Sequence, residues 1–305
     1  MKKTDYLILG CGYLGLRVAR RWVAQGRSVA AVTRQPERLA LLTSEGITPF
    51  LGDVLDLESL QLLPQASTVL YAVGHDRRSG RTMAEGTLQG LSHMMDWWRG
   101  RQAPRTGHCI YISSTSVYGQ TDGSWVDESA PCEPLTQGGT TILTAERQLQ
   151  VMAHQLPGLT LTILRLAGIY GPGRLLREQA LRLGEPIVTN PDGWLNLIHV
   201  EDAAQIVVAV ALQPRTPGLY NVSDDTPVRR RDFYNYLSTR LNTTPPRFIP
   251  PNPLAVPGYD TADRKVTNHR LKTTYQLELK YPDYRAGLEA SLRCGGEPRE
   301  LNVYP

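Results

Sequence analysis

The stretch YLILGCGYLGLRVARRWVAQG, residues 6–26, carries most of what the chain reveals about its fold. A short apolar run, YLILG, leads into glycines spaced as Gly-x-Gly-x-x-Gly, and an amphipathic segment of helix length follows. In such a unit Gly10 permits a tight turn, Gly12 lets the backbone approach a bound group, and Gly15 lets the helix pack closely on the strand. The N–H groups and the dipole at the start of the helix attract anions.

This context predicts a binding site for the pyrophosphate of a dinucleotide, because the glycines follow a strand, open a helix and lead on to a second strand. A glycine turn with a purely structural role is the alternative. The predicted contacts at the mouth of the first strand are Gly10, Cys11, Gly12, Tyr13, Leu14 and Gly15.

Apolar runs of strand length alternate with segments of helix length through the first half of the chain. The predicted strands cover residues 6–10, 28–33, 47–52, 67–73 and 108–113, with a further run from Thr160, and helices are predicted at 14–25 and 83–99. Repeated β-α units form a parallel sheet with helices on both faces, which binds ligands beyond the carboxyl ends of its strands. The predicted fold class is therefore α/β, a Rossmann-type doubly wound parallel sheet.

After Ala167 the pattern becomes irregular and rich in proline and glycine, as in TPPRFIPPNPLAVPG at 244–258. One more regular helix is predicted at 200–212, followed by the strand-like GLYNVS. We assign residues 1–167 to an NAD(P)-binding domain, with 196–212 packing onto it. Residues 168–195 and 213–305 are assigned to a smaller, irregular C-terminal lobe that covers the substrate.

Composition excludes several classes of function. The net charge of +4 is small and scattered, and Trp97 and Trp98 with the nearby arginines (Arg99, Arg101, Arg105) make a poor nucleic-acid stripe. Cys11, Cys109, Cys132 and Cys294 show no metal-ligand or disulfide spacing. No signal peptide and no apolar run of membrane-spanning length is apparent. We expect a cytoplasmic protein, monomer or homodimer, that binds a small-molecule substrate and neither nucleic acid nor membrane.

The end of the second strand favours NADP over NAD. NAD-binding units usually place Asp or Glu there to hold the ribose hydroxyls, but this strand ends in Thr33-Arg34, with Arg38 one helical turn later. A guanidinium suits a 2′-phosphate, and a charge-assisted hydrogen bond contributes about 1.5–3 kcal/mol, or roughly ten- to a hundredfold in affinity. The alternative for Arg34 is a solvated charge at the end of the strand.

Later landmarks resemble the extended branch of the short-chain dehydrogenase/reductase superfamily, the sugar-nucleotide epimerases and dehydratases. They are FLGDVLD at 50–56, ISSTSVYGQ at 112–120, LRLAGIYGPG at 164–173, NLIHVEDAAQ at 196–205 and GLYNVSDDTPV at 218–228. The resemblance implies that Asp53 contacts the adenine, although a turn role is the alternative, and that the catalytic hydroxyl is Ser114. Val54, after the third strand, and Ala72 and Val73, at the end of the fourth, complete the predicted cofactor site.

The chain departs from that family at its proton relay, a Tyr-x-x-x-Lys pair on the helix after the fifth strand. Aligning Glu146 in PLTQGGTTILTAER with the family's Glu puts Gly138 at the Tyr position and Ile142 at the Lys position. The acid pair of the dehydratases is also missing. The whole pattern, including the tail KVTNHRLKTTYQLELKYPDYRAGL, resembles an atypical subgroup of NAD-dependent epimerase/dehydratase-like proteins that lack the pair.

The remaining candidates each have a structural alternative. Ser114 and Tyr118 are the candidate catalytic residues, but a serine at a strand end can serve the backbone, and Tyr118 can serve packing. Trp125 could stack on a substrate ring, or lie in a surface turn. Arg174 suits an anionic substrate, or plain solvation. His199 could contact substrate, or fasten the two lobes together.

Two functions fit these residues. The first is an NADP-dependent oxidoreductase or epimerase-like enzyme acting on a sugar nucleotide or another phosphorylated substrate. The second is a non-catalytic NADP-binding sensor or regulatory protein. Gly138 and Ile142 favour the second function, whereas Ser114 and a well-marked second lobe favour the first. We favour the enzyme.

Overall fold

The computed structural model describes residues 3–75, 80–101, 107–156, 158–213, 216–252 and 261–293. Cys294 and Arg105, considered above, lie outside these ranges. The strands of the described ranges are β1 (Lys3–Leu9), β2 (Val29–Thr33), β3 (Thr48–Leu51), β4 (Gln65–Tyr71), β5 (Gly107–Ser114), β6 (Trp125–Val126), β7 (Leu159–Leu166), β8 (Gly168–Tyr170), β9 (Ile187–Val188), β10 (Trp194–Leu195), β11 (Leu197–His199), β12 (Gly218–Val222), β13 (Val228–Arg229), β14 (Phe248–Ile249) and β15 (Lys265–Val266).

The α-helices of the same ranges are α1 (Tyr13–Ala24), α2 (Arg38–Ser44), α3 (Leu57–Leu60), α4 (Gly90–Arg101), α5 (Gln137–Gln155), α6 (Glu178–Leu183), α7 (Val200–Leu212), α8 (Arg230–Leu241), α9 (His269–Tyr275) and α10 (Tyr284–Arg293). The predicted helices at 14–25 and 200–212 correspond to α1 and α7. The predicted helix at 83–99 is divided, because a π-helical turn (Glu85–Gln89) precedes α4.

Seven parallel strands form the central sheet, in the order β12-β7-β5-β4-β1-β2-β3. Its inner strands are rich in buried apolar residues because helices cover both faces. On β1, Tyr6 and Ile8 belong to the core that includes α1 and α7, and Leu7 and Leu9 belong to the core that includes α4 and α5. The structure thus confirms the predicted fold class.

The strand order reverses beside β1, whose two neighbours are β2 and β4. At such a switch point the loops after adjacent strands lead away in opposite directions, which leaves a crevice at the carboxyl edge of the sheet. The turn after β1 (from Gly10) and the loop after β4 (from Ala72) meet at this crevice, because the N–H of Ala72 donates to the carbonyl of Leu9 at 2.8 Å. The fold therefore brings the predicted dinucleotide contacts to one place.

A separate hydrophobic core supports the smaller lobe. It is built from β8, β9, β11, β13, α6, α8 and α10 and includes Tyr170, Ile187 and Phe233. The predicted boundary needs a correction, because two segments assigned to this lobe belong to the nucleotide lobe. β12 is the edge strand of the central sheet, and Leu271 and Tyr275 of α9 lie in the same core as α1 and α7.

None of the helices in the described part of the chain has the combined length and apolar character needed to cross a bilayer.

Candidate dinucleotide and substrate site

The turn from Gly10 to Gly15 is shaped by close backbone approaches. Gly10 has φ +93°, and a Cβ there would lie 2.5 Å from the carbonyl carbon of Ala72. A Cβ on Gly15 would lie 2.4 Å from the carbonyl oxygen of Gly10. These two glycines therefore serve the fold, because any side chain at either position would overlap backbone.

Gly12 differs from its neighbours because a Cβ on it would meet no atom within 4 Å. It is also the N-cap of α1, so no side chain caps this helix, and the first turn contains no acidic residue. The uncapped N–H groups and the helix dipole therefore face open space. This is the arrangement that a pyrophosphate requires, and it fits a dinucleotide.

The smaller lobe contacts the same turn where its GPG segment at 171–173 meets Tyr13, the first residue of α1. The hydroxyl of Tyr13 donates to the carbonyl of Pro172 at 3.1 Å, and the guanidinium of Arg174 lies 5.5 Å from the centre of the Tyr13 ring. Arg174 was predicted as a substrate contact. The structure places it beside the dinucleotide turn, because Gly171 and Arg174 pair through a β-bridge that folds this segment over Tyr13. Its contact with substrate stays a prediction.

Arg34 and Arg38 flank the end of β2, as predicted. Nη1 of Arg34 lies 3.9 Å from Oδ2 of Asp53, where the Arg34 side chain is exposed and Asp53 is half-buried. Nη2 of Arg38 is buried and has no hydrogen-bond partner. Its charge acts on the buried thiol of Cys11, although burial dominates and raises the pKa of that thiol to about 12. Arg38 therefore lies close to the glycine turn, and its Nη2 can still donate a hydrogen bond to a ligand.

The other predicted cofactor contacts lie at or just after the ends of β2, β3 and β4, at the carboxyl edge of the sheet. Oδ1 of Asp53 accepts from the N–H of Leu55 at 2.9 Å, which is the turn role, while its second oxygen remains at the surface. Thr33 is buried at the end of β2, and its hydroxyl accepts from the N–H of Gln35. Val54 is buried against α4, and Ala72 and Val73 are half-buried beside Gly10.

Ser114 ends β5 and is half-buried. Its Oγ accepts from the N–H of Ser116 at 3.1 Å and so caps the short 3-10 turn Thr115–Val117. A hydroxyl carries one hydrogen and two lone pairs, so this cap leaves the hydrogen and one lone pair for a ligand. The backbone role and the predicted substrate role of Ser114 are therefore compatible.

A buried charge network lies behind Ser114. The guanidinium of Arg165 on β7 makes two hydrogen bonds to the carboxylate of Glu146 on α5, at 2.9 and 2.6 Å. The hydroxyl of Ser113 donates to the same carboxylate at 2.5 Å. Both charged residues are almost fully buried. The network ties β5, β7 and α5 together directly behind the candidate catalytic loop.

Tyr118 belongs to this network, and the structure argues against its predicted role as a substitute proton donor. Its hydroxyl accepts from Nη1 of Arg165 at 2.9 Å and donates to Oδ1 of Asn221 at 2.8 Å. Burial raises the pKa of Tyr118 to about 12. A buried phenol that already donates its hydrogen within the protein cannot pass it to substrate. Tyr118 is a positioning residue for the loop that contains Ser114.

Gly138 and Ile142, the positions aligned with the family's Tyr-x-x-x-Lys pair, lie on the first turns of α5. Thr136 caps this helix by accepting a hydrogen bond from the N–H of Gly139. Ile142 is buried in an apolar cluster with Val117, Val126 and Val266. An ammonium group would be expensive to bury in such surroundings. The packing around Ile142 therefore suits its own side chain and not the lysine of the relay.

His199 was also predicted as a substrate contact, and the structure corrects this. Nδ1 accepts from the N–H of Glu201 at 3.2 Å and so caps α7, while Nε2 lies 3.2 Å from the hydroxyl of Ser291 on α10. Burial lowers the pKa of His199 to about 4, so the ring is neutral. His199 fastens α7 to the smaller lobe, which is the alternative role considered above.

Trp125 is 58% exposed and lies on β6 beside a second indole, Trp194 on β10. The ammonium of Lys265 lies 5.2 Å from the centre of each ring, and the guanidinium of Arg229 lies 3.9 Å from that of Trp194. This cluster of indoles and cations forms where β6, β10, β13 and β15 come together. The stacking role predicted for Trp125 stays a prediction.

Arg264 is buried immediately before β15 and was not among the predicted site residues. Its Nη2 donates to the carbonyl oxygen of Thr115 at 2.8 Å, so it contacts the residue after Ser114. No local signal identifies it, because the contact spans 149 residues of sequence.

Comparison with known proteins adds three findings. The family model "NAD dependent epimerase/dehydratase family" matches residues 6–223. Protein YeeZ of Escherichia coli (strain K12) is 31% identical over 291 residues, which are 93% of this chain and 97% of YeeZ. A functionally unknown conserved protein from Silicibacter pomeroyi DSS is similar in structure, with a TM-score of 0.77 and 31% identity over 95% of this chain and 98% of its own.

More distant enzymes have the same fold. UDP-glucose 4-epimerase from Bifidobacterium longum, solved in complex with NAD+ and UDP, has a TM-score of 0.77 at 18% identity. The match covers 96% of this chain and 100% of the epimerase chain. At this identity the likeness concerns the fold alone.

Proposed function

Because the chain belongs to the NAD-dependent epimerase/dehydratase family, we propose that it is an NADP-dependent oxidoreductase of epimerase-like type. The observation that carries the proposal is the turn at Gly12, which combines open space, uncapped N–H groups and no acidic residue. Gly10, Gly12 and the first turn of α1 would hold the pyrophosphate. Bound there, the nicotinamide supplies a hydride or accepts one.

NADP is proposed over NAD because of Arg38. Its buried Nη2 has no hydrogen-bond partner, and its position one turn after β2 suits a 2′-phosphate. Arg34 would supply a second positive charge from the surface, where it now lies near Asp53. A 2′-phosphate would give the Arg38 guanidinium the acceptor that the protein does not provide.

Replacing Arg38 with methionine is expected to weaken NADP binding by about ten- to a hundredfold and to change NAD binding by less than about twofold. Calorimetric titration of both nucleotides into the wild type and Arg38→Met gives the four dissociation constants. Arg182→Met removes an arginine that is exposed on α6, and serves as the control. Tighter binding of NAD than NADP by the wild type would contradict the proposed preference.

In the proposed reaction Ser114 holds the substrate oxygen through the hydrogen and lone pair that its cap on Ser116 leaves over. The ion pair of Glu146 and Arg165 helps to position the Ser114 loop, because Glu146 also accepts a hydrogen bond from the neighbouring Ser113. The proton that accompanies hydride transfer comes from a group other than Tyr118, whose hydroxyl already donates to Asn221.

A second function is an NADP sensor without turnover. The observation that favours it is the apolar packing of Ile142, which stands where the family's lysine would be.

Whether the protein oxidises NADPH distinguishes the two functions. We expect wild-type protein to oxidise NADPH with a phosphorylated or nucleotide-linked carbonyl compound, and Ser114→Ala to lower kcat by about a hundredfold while NADP affinity stays unchanged. Absorbance of the reduced nicotinamide, followed across a panel of such compounds, measures this. Ser124→Ala, in the loop before β6, is the control. If the wild type binds NADP and oxidises none of the panel, the sensor function is the better proposal.

A further inference from the structure

The segment 171–174 forms a tight loop that lies against the first residue of α1. The N–H of Gly171 donates to the carbonyl of Arg174 at 3.2 Å, and the N–H of Arg174 donates to the carbonyl of Gly171 at 3.0 Å. A Cβ on Gly171 would lie 2.6 Å from the hydroxyl oxygen of Tyr13 and from Cγ1 of Val200, so a side chain there would force these neighbours apart. The loop therefore rests on α1 and α7, although it continues from β8 of the smaller lobe.

The side chain of Tyr13 holds this loop in place. Its hydroxyl donates to the carbonyl of Pro172 at 3.1 Å. The guanidinium of Arg17 lies 4.4 Å from the centre of the Tyr13 ring and that of Arg174 lies 5.5 Å from it, distances at which a cation is attracted to an aromatic face. Arg17 is buried and pairs with the carboxylate of Glu201 at 2.9 Å, whereas Arg174 is exposed. A ligand bound at the turn can therefore reach Arg174.

A dinucleotide bound at the turn after β1 needs more positive charge than α1 supplies. Its pyrophosphate is a dianion, whereas the N-terminus of a helix contributes about half of a positive charge. Gly12 brings N–H groups but no side chain, and the first turn of α1, YLGL at 13–16, carries no charged side chain. A guanidinium beside such a turn binds phosphate oxygens through charge-assisted hydrogen bonds. Arg174 is in the right place to supply that guanidinium.

We propose that Arg174 binds the pyrophosphate of the dinucleotide, so that the smaller lobe helps to hold the cofactor. The inference rests on the proposed function, which places the dinucleotide at this turn. It gives Arg174 a cofactor role in place of the substrate role predicted from the sequence. Because the loop of Arg174 continues from β8, the bound cofactor then connects α1 directly to the smaller lobe.

The test compares three ligands that differ in their phosphates. NADP contains a pyrophosphate and a 2′-phosphate, NAD contains only the pyrophosphate, and adenosine 2′-monophosphate contains only the 2′-phosphate. Each is titrated calorimetrically into wild type, Arg174→Met and Arg38→Met. Arg174→Met is expected to bind NADP and NAD about ten- to a hundredfold more weakly than the wild type, and the monophosphate within about twofold of it. Arg38→Met is expected to lose affinity for NADP and the monophosphate and to keep it for NAD.

Two further variants test the geometry. Tyr13→Phe keeps the ring and removes the hydroxyl that holds Pro172, so it is expected to weaken binding of both dinucleotides by about two- to tenfold. Arg182→Met removes an exposed arginine from α6 of the smaller lobe and is expected to bind all three ligands like the wild type. Thermal unfolding of Arg174→Met is expected within about 2 °C of the wild type, because the side chain is exposed.

The outcomes separate this inference from the proposed function. If Arg174→Met binds both dinucleotides as the wild type does, the inference is overturned and the cofactor site stands. A loss of affinity for the monophosphate in Arg174→Met, or a fall of several degrees in its unfolding temperature, would also overturn it. A wild type that binds neither dinucleotide overturns the proposed function and the inference together. Since binding alone is measured, a protein without turnover still tests the role of Arg174.

Discussion

Glu146→Ala is expected to lower the free energy of unfolding by about 3–5 kcal/mol, because it leaves the charge of Arg165 buried without a counter-ion. Glu146 is 1% exposed and Arg165 is 3% exposed, so water cannot take the place of the lost carboxylate. The substitution removes the two carboxylate acceptors of the Arg165 guanidinium, at 2.9 and 2.6 Å, and the acceptor of Ser113. The loss is concentrated where β5, β7 and α5 meet behind Ser114.

Denaturant titration measures the change, and two controls define its cause. Glu178→Ala breaks a pair with Arg182 that is one helical turn away and partly exposed, and it should cost less than about 1 kcal/mol. Replacing both partners of the buried pair, as Glu146→Leu with Arg165→Met, should recover most of the loss, since no charge then stays buried alone. An effect of Glu146→Ala no larger than that of Glu178→Ala would contradict the role of the network.

The same added methyl group is expected to have different effects at Gly10 and Gly12. Gly10→Ala forces a side chain into a left-handed backbone conformation at φ +93° and places its Cβ 2.5 Å from the Ala72 carbonyl carbon. Strain and overlap together should lower the free energy of unfolding by about 2–5 kcal/mol. Gly12→Ala meets no protein atom within 4 Å, so its cost should stay near or below about 1 kcal/mol.

For ligand binding, in contrast to stability, the substitution at Gly12 is expected to have the large effect. The space beside Gly12 is where we place the pyrophosphate, so Gly12→Ala should weaken NADP binding by at least about a hundredfold, or about 2.7 kcal/mol. Thermal and denaturant unfolding of the two variants, together with the wild type, measures the stability half of this prediction. Equal losses of stability at the two positions would show that Gly12 has a purely structural role.

The parts of the fold that the sequence predicted are those set by local patterns. The alternation of strands and helices could be predicted because the part of a strand that is buried on both faces is continuously apolar, as β1 is from Tyr6 to Leu9. The turn at Gly10–Gly15 could be predicted because the three glycines that it needs fall within six consecutive residues. The edge strand β12 was recognised as a strand, but its place beside β7 depends on a long-range pairing, such as Leu219 with Ile163.

Within the site, prediction failed where burial decides the role of a side chain. Tyr118 and His199 are residue types that serve catalysis or structure equally well, and only the bonds to Asn221 and Glu201 distinguish the two roles. Arg264 was missed for the converse reason. An arginine in a polar stretch looks solvated until the fold places it against Thr115, far away in sequence.

Calorimetric titration of NADP into wild-type protein and Gly12→Ala tests most directly whether the turn after β1 holds a dinucleotide. We expect saturable binding of one NADP per chain by the wild type, and a dissociation constant at least about a hundredfold higher for a Gly12→Ala protein that unfolds like the wild type. The absence of binding by the wild type, or equal affinities for the two proteins, would contradict the dinucleotide site and the function built on it.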